Sequence, residues 1–181
     1  MDSFESIVKT IFESKGYWVK TCFKVNLTKE EKIQIDRPSS PRWEIDLVAY
    51  KGGINELLVI ECKSYLDSPG VQAQGLNQGK YKERYKLFNE PTLRNIVLNR
   101  LKNQLVEQGA CPEDLIVQLC LATGKIYSDR DRDDLTKQFS QNNWVLFSDV
   151  WIKEQLINLA NTGYEDEVAT VTTKILIRNN G

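Results

Sequence analysis

The sequence predicts an α/β fold, a mixed central sheet flanked by helices. Three observations carry that expectation. Apolar residues recur at helical spacing near the start of the chain, three strand-like runs follow, and a continuous apolar run further on has the character of a buried parallel strand.

Phe4, Ile7, Val8, Ile11 and Phe12 form an apolar stripe that predicts a helix over residues 3–15, stopped by Gly16. Val19, Thr21, Phe23, Val25 and Leu27 then alternate with Lys20, Cys22, Lys24 and Asn26, the pattern of a half-buried strand. Residues 28–42 are polar and contain Pro38 and Pro41, so a loop is expected, with room for one helical turn after Thr28. Two apolar runs follow, Trp43 to Tyr50 and the stretch ending Val59-Ile60-Glu61-Cys62-Lys63. Lys51-Gly52-Gly53-Ile54-Asn55 joins them as a hairpin by composition.

Asp67-Ser68-Pro69-Gly70 breaks the chain, and helical sequence is expected from there to about Gln108, interrupted near Pro91. Leu115 to Leu121 is the continuous apolar run. Residues 128–142 read as a charged surface helix, Trp144 to Phe147 as a short strand, and Ser148 as the cap of a helix to about Asn161. Val168, Val171, Thr172, Ile175 and Leu176 predict a last helix. A single domain over 1–181 is expected, with its core in 3–121 and an extension in 122–181.

The bulk composition narrows the chemistry. A hydrophobic fraction of 41% and a charged fraction of 27% suit a soluble globular chain, and no apolar run is long enough to span a bilayer. The acidic start, Met1-Asp2-Ser3-Phe4-Glu5, lacks a signal-peptide pattern, so a cytoplasmic location and no membrane partner are expected. Cys22, Cys62, Cys111 and Cys120 are widely spaced and read as reduced thiols. The chain has no histidine, which excludes Ser-His-Asp and Cys-His catalysis and histidine-ligated zinc. A net charge of −1 gives no global pull on nucleic acid.

Charges inside core-like strands are costly unless paired or bound to a metal. Glu61 and Lys63 lie two apart and so share a face of their strand, while Asp46 lies among apolar neighbours of the preceding one. With Gly53 and Ile54 at the hairpin tip, Asp46 falls opposite Glu61, Val48 opposite Val59, Tyr50 opposite Leu57 and Glu44 opposite Lys63. One face then holds Trp43, Ile45, Leu47 and Ala49 against Leu58, Ile60 and Cys62, all apolar. The other carries Glu44, Asp46, Glu61 and Lys63 at the end far from the turn. A slip of one residue would scatter these charges. Two close carboxylates repel until a divalent cation relieves them. Magnesium takes oxygen ligands and keeps several waters, so Asp46, Glu61 and the backbone carbonyl of Cys62 suffice, with manganese as a substitute. Such a cation beside Lys63 suits phosphodiester hydrolysis.

Asp46, a gap of about fifteen residues, and Glu61-Cys62-Lys63 at a strand end resemble the PD-(D/E)xK nuclease signature. The predicted element order is similar to the αβββαβ core of that restriction-endonuclease-like superfamily, which includes Holliday junction resolvases and restriction enzymes. The resemblance implies a metal-dependent DNA endonuclease with Asp46 and Glu61 as metal ligands and Lys63 assisting the attacking water. It leaves room for a homodimer, since cutting two strands takes two sites. It also implies an accessory glutamate on the first helix. Glu5 lies roughly 90° from the centre of the apolar stripe and can reach the sheet edge, whereas Glu13 lies nearly opposite and faces water. Glu5 is therefore the choice, although Asp2-x-x-Glu5 also forms a capping-box pattern. Ile45 stands where the signature has proline. Gln78 is followed by Tyr81 and Tyr85 at spacings that differ from the Gln-x-x-x-Tyr motif of RecB-like nucleases.

Lys80, Lys82, Arg84, Lys86, Arg94, Arg100 and Lys102, opposed only by Glu83 and Glu90, form a candidate DNA surface, and Tyr81 or Tyr85 suits stacking on a base. The plain alternative is a solvated helix surface. Two other classes compete with an enzyme: a catalytically inactive nuclease-fold module that binds DNA or regulates, and a protein-interaction module whose acids are merely salt-bridged.

Overall fold

The computed structural model describes residues 2–39, 42–163 and 166–178. Helix α1 (Ser3–Ser14) leads into strand β1 (Trp18–Val25), short helix α2 (Lys29–Gln34) and the hairpin of β2 (Trp43–Lys51) and β3 (Glu56–Lys63). Short helix α3 (Lys86–Asn89) and long helix α4 (Pro91–Glu107) follow, then β4 (Ile116–Thr123), α5 (Asp129–Gln141), β5 (Val145–Phe147), α6 (Asp149–Ala160) and α7 (Val168–Arg178). The five strands form one mixed sheet in the order β1-β2-β3-β4-β5. β1, β2 and β3 are antiparallel neighbours, whereas β4 runs parallel to both β3 and β5.

Two apolar clusters sandwich the sheet. On one side the stripe of α1 (Phe4, Val8, Ile11, Phe12) packs with Ile152 and Leu159 of α6 onto Leu47, Ala49, Leu58 and Ile60. On the other, Leu93, Val97 and Leu101 of α4 and Leu135 and Phe139 of α5 cover Val48, Leu57, Val59 and Leu121. The helix ends follow their sequence signals. Asp2 and Glu5 exchange capping bonds at the start of α1, and Thr28 and Glu31 do the same for α2. Ser148 caps α6.

The structure corrects the sequence reading in three places. Residues between Gly70 and Tyr85 do not form a helix: they make two 3₁₀ turns, Ala73–Leu76 and Lys82–Arg84, before α3. Gly70 and Gly79 adopt positive φ, and a parallel bridge between Val71 and Ile126 pins this segment to the chain beyond β4. From the turn as far as Leu47 opposite Ile60 the hairpin keeps its expected register, with Val48 opposite Val59 and Tyr50 opposite Leu57. The expected pairs of Asp46 with Glu61 and Glu44 with Lys63 fall outside the ladder, and the connection is longer than a two-residue tip. Lys51 pairs with Glu56, and a 3₁₀ turn at Gly52–Ile54 closes through Asn55 in the left-handed region.

The third correction concerns the faces. Leu47 and Ala49 share a face with Leu58, Ile60 and Cys62 as expected, and it packs under α1, but Ile45 and Trp43 belong with the opposite cluster of Phe23 and Val48. The alternation breaks at Asp46. Its β1 neighbour in register is Cys22, which has φ 50, between the regular pairs Thr21–Leu47 and Phe23–Ile45. The local change of conformation swaps the faces of both strands beyond that point, which takes Asp46 out of regular pairing.

Candidate functional site

β3 and β4 run side by side until Lys63 stands opposite Thr123 at their carboxyl ends. In open α/β sheets this is the end at which ligands bind. The first turn of α1 covers it. A Cβ at Gly124 would lie 2.5 Å from the Ser64 carbonyl oxygen and 3.2 Å from the Phe4 ring, so glycine is what lets the strand ends and α1 meet here.

The sheet brings Asp46, Glu61 and Lys63 together. The Asp46 Oδ2 accepts a 2.7 Å hydrogen bond from the Cys62 backbone N–H, standing in for the ladder bond that the broken alternation removes. Lys63 Nζ lies 3.7 Å from that same oxygen and 3.4 Å from Glu61 Oε2, and donates to the Cys62 carbonyl at 3.1 Å. The three oxygens expected to hold a cation therefore converge on one point, which the chain's own ammonium occupies. The Lys63, Glu61 and Asp46 side chains are only 16%, 15% and 24% exposed.

The electrostatics follow from that burial. Loss of solvent pushes the Glu61 carboxyl up to about 7, with Asp46 and Glu5 adding repulsion and Lys63 opposing it. Lys63 is raised because the attraction of Glu61 and Asp46 outweighs its own desolvation, so it stays an ammonium at neutral pH. Burial also raises the Cys62 thiol, which leaves its carbonyl rather than its sulfur as a donor. Glu5 both caps α1 and feels the site: burial raises its carboxyl first, then the charge of Asp46. Glu13 is exposed and pairs with Lys9, as its place on the helix implies.

Glu44 does not meet Lys63. It pairs instead with Lys24 across β1 and β2, because its side of the strand lies beyond the break at Asp46. Among the described residues, no three acid or thiol side chains are placed to hold a metal ion together. Two carboxylates and a carbonyl remain, a set of hard oxygens that suits a magnesium ion keeping several waters. Thr123 adds a group that sequence reasoning missed. Its hydroxyl is buried beside Lys63 with no hydrogen-bond partner among the described residues, and a buried polar group left so costs about 1–3 kcal/mol unless a water or ligand oxygen reaches it. A threonine following the apolar stretch Leu119-Cys120-Leu121-Ala122 was the available signal.

The candidate DNA surface divides. Arg94 donates to the Leu87 and Phe88 carbonyls, Arg100 pairs with Glu31 at 2.9 Å, and Lys102 donates to the Leu115 carbonyl, so these three hold the fold. Lys86 pairs with Glu83 at 3.1 Å. Lys80, Lys82 and Arg84 are exposed on the turns before α3 rather than on a helix face.

No family model matches the chain, no curated protein matches its sequence, and no solved structure matches it.

Proposed function

We propose that this chain is a metal-dependent DNA endonuclease of the PD-(D/E)xK kind. One observation carries the reading: Asp46, Glu61 and the Cys62 carbonyl converge on a single point at the end of β3. The element order supports the restriction-endonuclease-like assignment, with a helix, three antiparallel strands, a helix and a strand parallel to the third. Asp46, Glu61 and the Cys62 carbonyl would hold a magnesium ion, which would neutralise phosphate charge and acidify an attacking water. Lys63 enters as an ammonium, so it donates to the oxygens that gain charge in the transition state and does not remove a proton. Glu5 sets the local potential from the first turn of α1.

A second reading rests on the same geometry. Because Lys63 already satisfies these oxygens, the cluster suits a nuclease-fold module that binds DNA without cutting it. Cleavage of supercoiled, single-stranded and branched DNA with magnesium or manganese separates the two. The nuclease reading expects wild-type cleavage that chelation stops and that Lys63→Ala lowers by at least about a hundredfold, the scale of losing one charge-stabilising donor. Calorimetry on the same proteins expects divalent-cation binding that Asp46→Asn removes and Lys63→Ala strengthens, since the competing ammonium is gone. Equal inertness of wild type and Lys63→Ala on every substrate would leave the module reading.

A further inference from the structure

Beyond Lys63 the chain enters a built cleft. Tyr65, two residues on, adopts φ 46, a region that bulky side chains rarely occupy. With Pro69, Gly70, Tyr81, Arg84 and Tyr85 it lines a cavity of about 280 Å³. That is just below the usual range of ligand pockets, about 300–1,000 Å³, and suits one flat ring system better than a large molecule. Tyr85 is 2% exposed, burial and the neighbouring Tyr65 hydroxyl raise its phenol, and that Tyr65 hydroxyl accepts from Arg84 Nη1 at 3.3 Å. The Arg84 guanidinium lies 5.8 Å from the Tyr65 ring centroid and 5.4 Å from that of Tyr81, and Lys80 lies 5.0 Å from the latter.

The walls are fixed before any ligand arrives. Val71 donates to the Lys125 carbonyl at 2.9 Å and accepts from Tyr127 at 3.0 Å, and Lys125 Nζ ties down the Ser68 carbonyl at 2.8 Å. Gly70 has φ +110, and a Cβ there would lie 2.8 Å from the Tyr127 nitrogen, so this wall packs directly against the chain that follows β4. Asn89 holds both 3₁₀ turns from the other side through the Leu76 and Lys82 carbonyls. The cleft also carries local positive charge. Glu83 is engaged by Lys86, which leaves Arg84 in the lining and Lys80 over the Tyr81 ring.

Aromatic rings with cations lying over them match a nucleotide: a base stacks on the guanidinium plane or on the ring it covers, and its phosphate meets the ammonium. A base within a duplex has both faces covered by its neighbours, so only an unpaired or extruded base can enter. Lys63 and Tyr65 are at most about 7 Å apart along the backbone, so the cleft begins where the strand carrying the carboxylate–lysine cluster ends. We infer that the Tyr65–Tyr81–Arg84 cleft binds an unpaired DNA base next to the phosphate presented to Lys63, so that the protein engages single-stranded or frayed DNA in preference to intact duplex. This inference rests on the DNA reading of the neighbouring site.

Anisotropy of a short fluorescein-labelled oligothymidylate, measured in EDTA with wild-type protein, tests binding without cleavage. The single strand is expected to bind more tightly than a blunt duplex of equal length. Tyr81→Ala and Arg84→Ala should each weaken it about tenfold and leave the melting temperature unchanged, since Tyr81 is 39% exposed and Arg84 lies on the surface. Tyr81→Phe, which keeps the ring, should bind as wild type. Equal affinity for strand and duplex, or single-strand binding indifferent to Tyr81→Ala, would overturn the inference. The two readings fail separately. Tyr81-dependent binding by a protein that cuts nothing would keep the cleft and remove the nuclease. Metal-dependent cleavage indifferent to Tyr81→Ala would do the reverse.

Discussion

Glu61→Gln is expected to stabilise the metal-free protein, increasingly so as the pH rises. The Glu61 carboxyl is held near 7 against an ordinary 4.5, chiefly because folding strips its water. Near pH 4 the carboxyl is mostly protonated in both folded and unfolded chains, and the shift contributes little. Between 4.5 and 7 the folded state holds a proton that the unfolded state has released, so unfolding free energy falls as pH rises. Above 7 the whole cost of the buried carboxylate is present. A separation of about 2.5 pH units at about 1.4 kcal/mol each makes that cost about 3 kcal/mol. Glutamine carries no such charge, so the variant should match wild type near pH 4 and lead it by up to about 3 kcal/mol at pH 8. For a chain of this size that is about 6–12 °C in Tm. Urea unfolding in EDTA across this pH range, followed by tryptophan fluorescence, measures it. Saturating magnesium should lift the wild-type curve above pH 7 and leave the variant's alone. A wild-type slope that the variant reproduces would refute the reasoning, because the buried carboxylate would then not be its source.

Two further substitutions probe the frame around that carboxylate. Asp46→Ala removes the acceptor for the Cys62 N–H and should cost about 1–3 kcal/mol in urea unfolding, whereas Asp46→Asn keeps an oxygen there and should stay close to wild type. Equal losses in both would mean that charge, not the hydrogen bond, makes Asp46 matter to the fold. Gly124→Ala forces a Cβ against the Ser64 carbonyl and the Phe4 ring, and should cost about 1–3 kcal/mol while displacing the end of β3. An unchanged unfolding midpoint would show that the strand ends have slack there.

Local pattern carried most of the fold. The stripe of α1 and the apolar run of β4 each had to be buried, and periodicity points to them, whereas the alternation of β1 holds only on either side of Cys22, where the faces swap. The segment 70–85 misled because its polar residues fit a helix surface, while its conformation is decided by glycines and by a bridge to Ile126, far along the chain. The basic residues misled in the same way. Arg94 and Arg100 look available for phosphate in a sequence, yet each finds carbonyls or a carboxylate only after the chain has folded.

The order of helices and strands, the hairpin register and the presence of two acids and a lysine near one strand end were already decided along the chain. They depend on side-chain period and on the cost of burying charge, both of which act between near neighbours. Tertiary structure alone decided that Asp46 turns to the Cys62 amide, that Glu44 goes to Lys24, and that the Lys63 ammonium stands where three oxygens meet. Those outcomes depend on where β1 bends at Cys22 and on how closely β3, β4 and α1 approach at Gly124, which are distances between segments that no local pattern encodes.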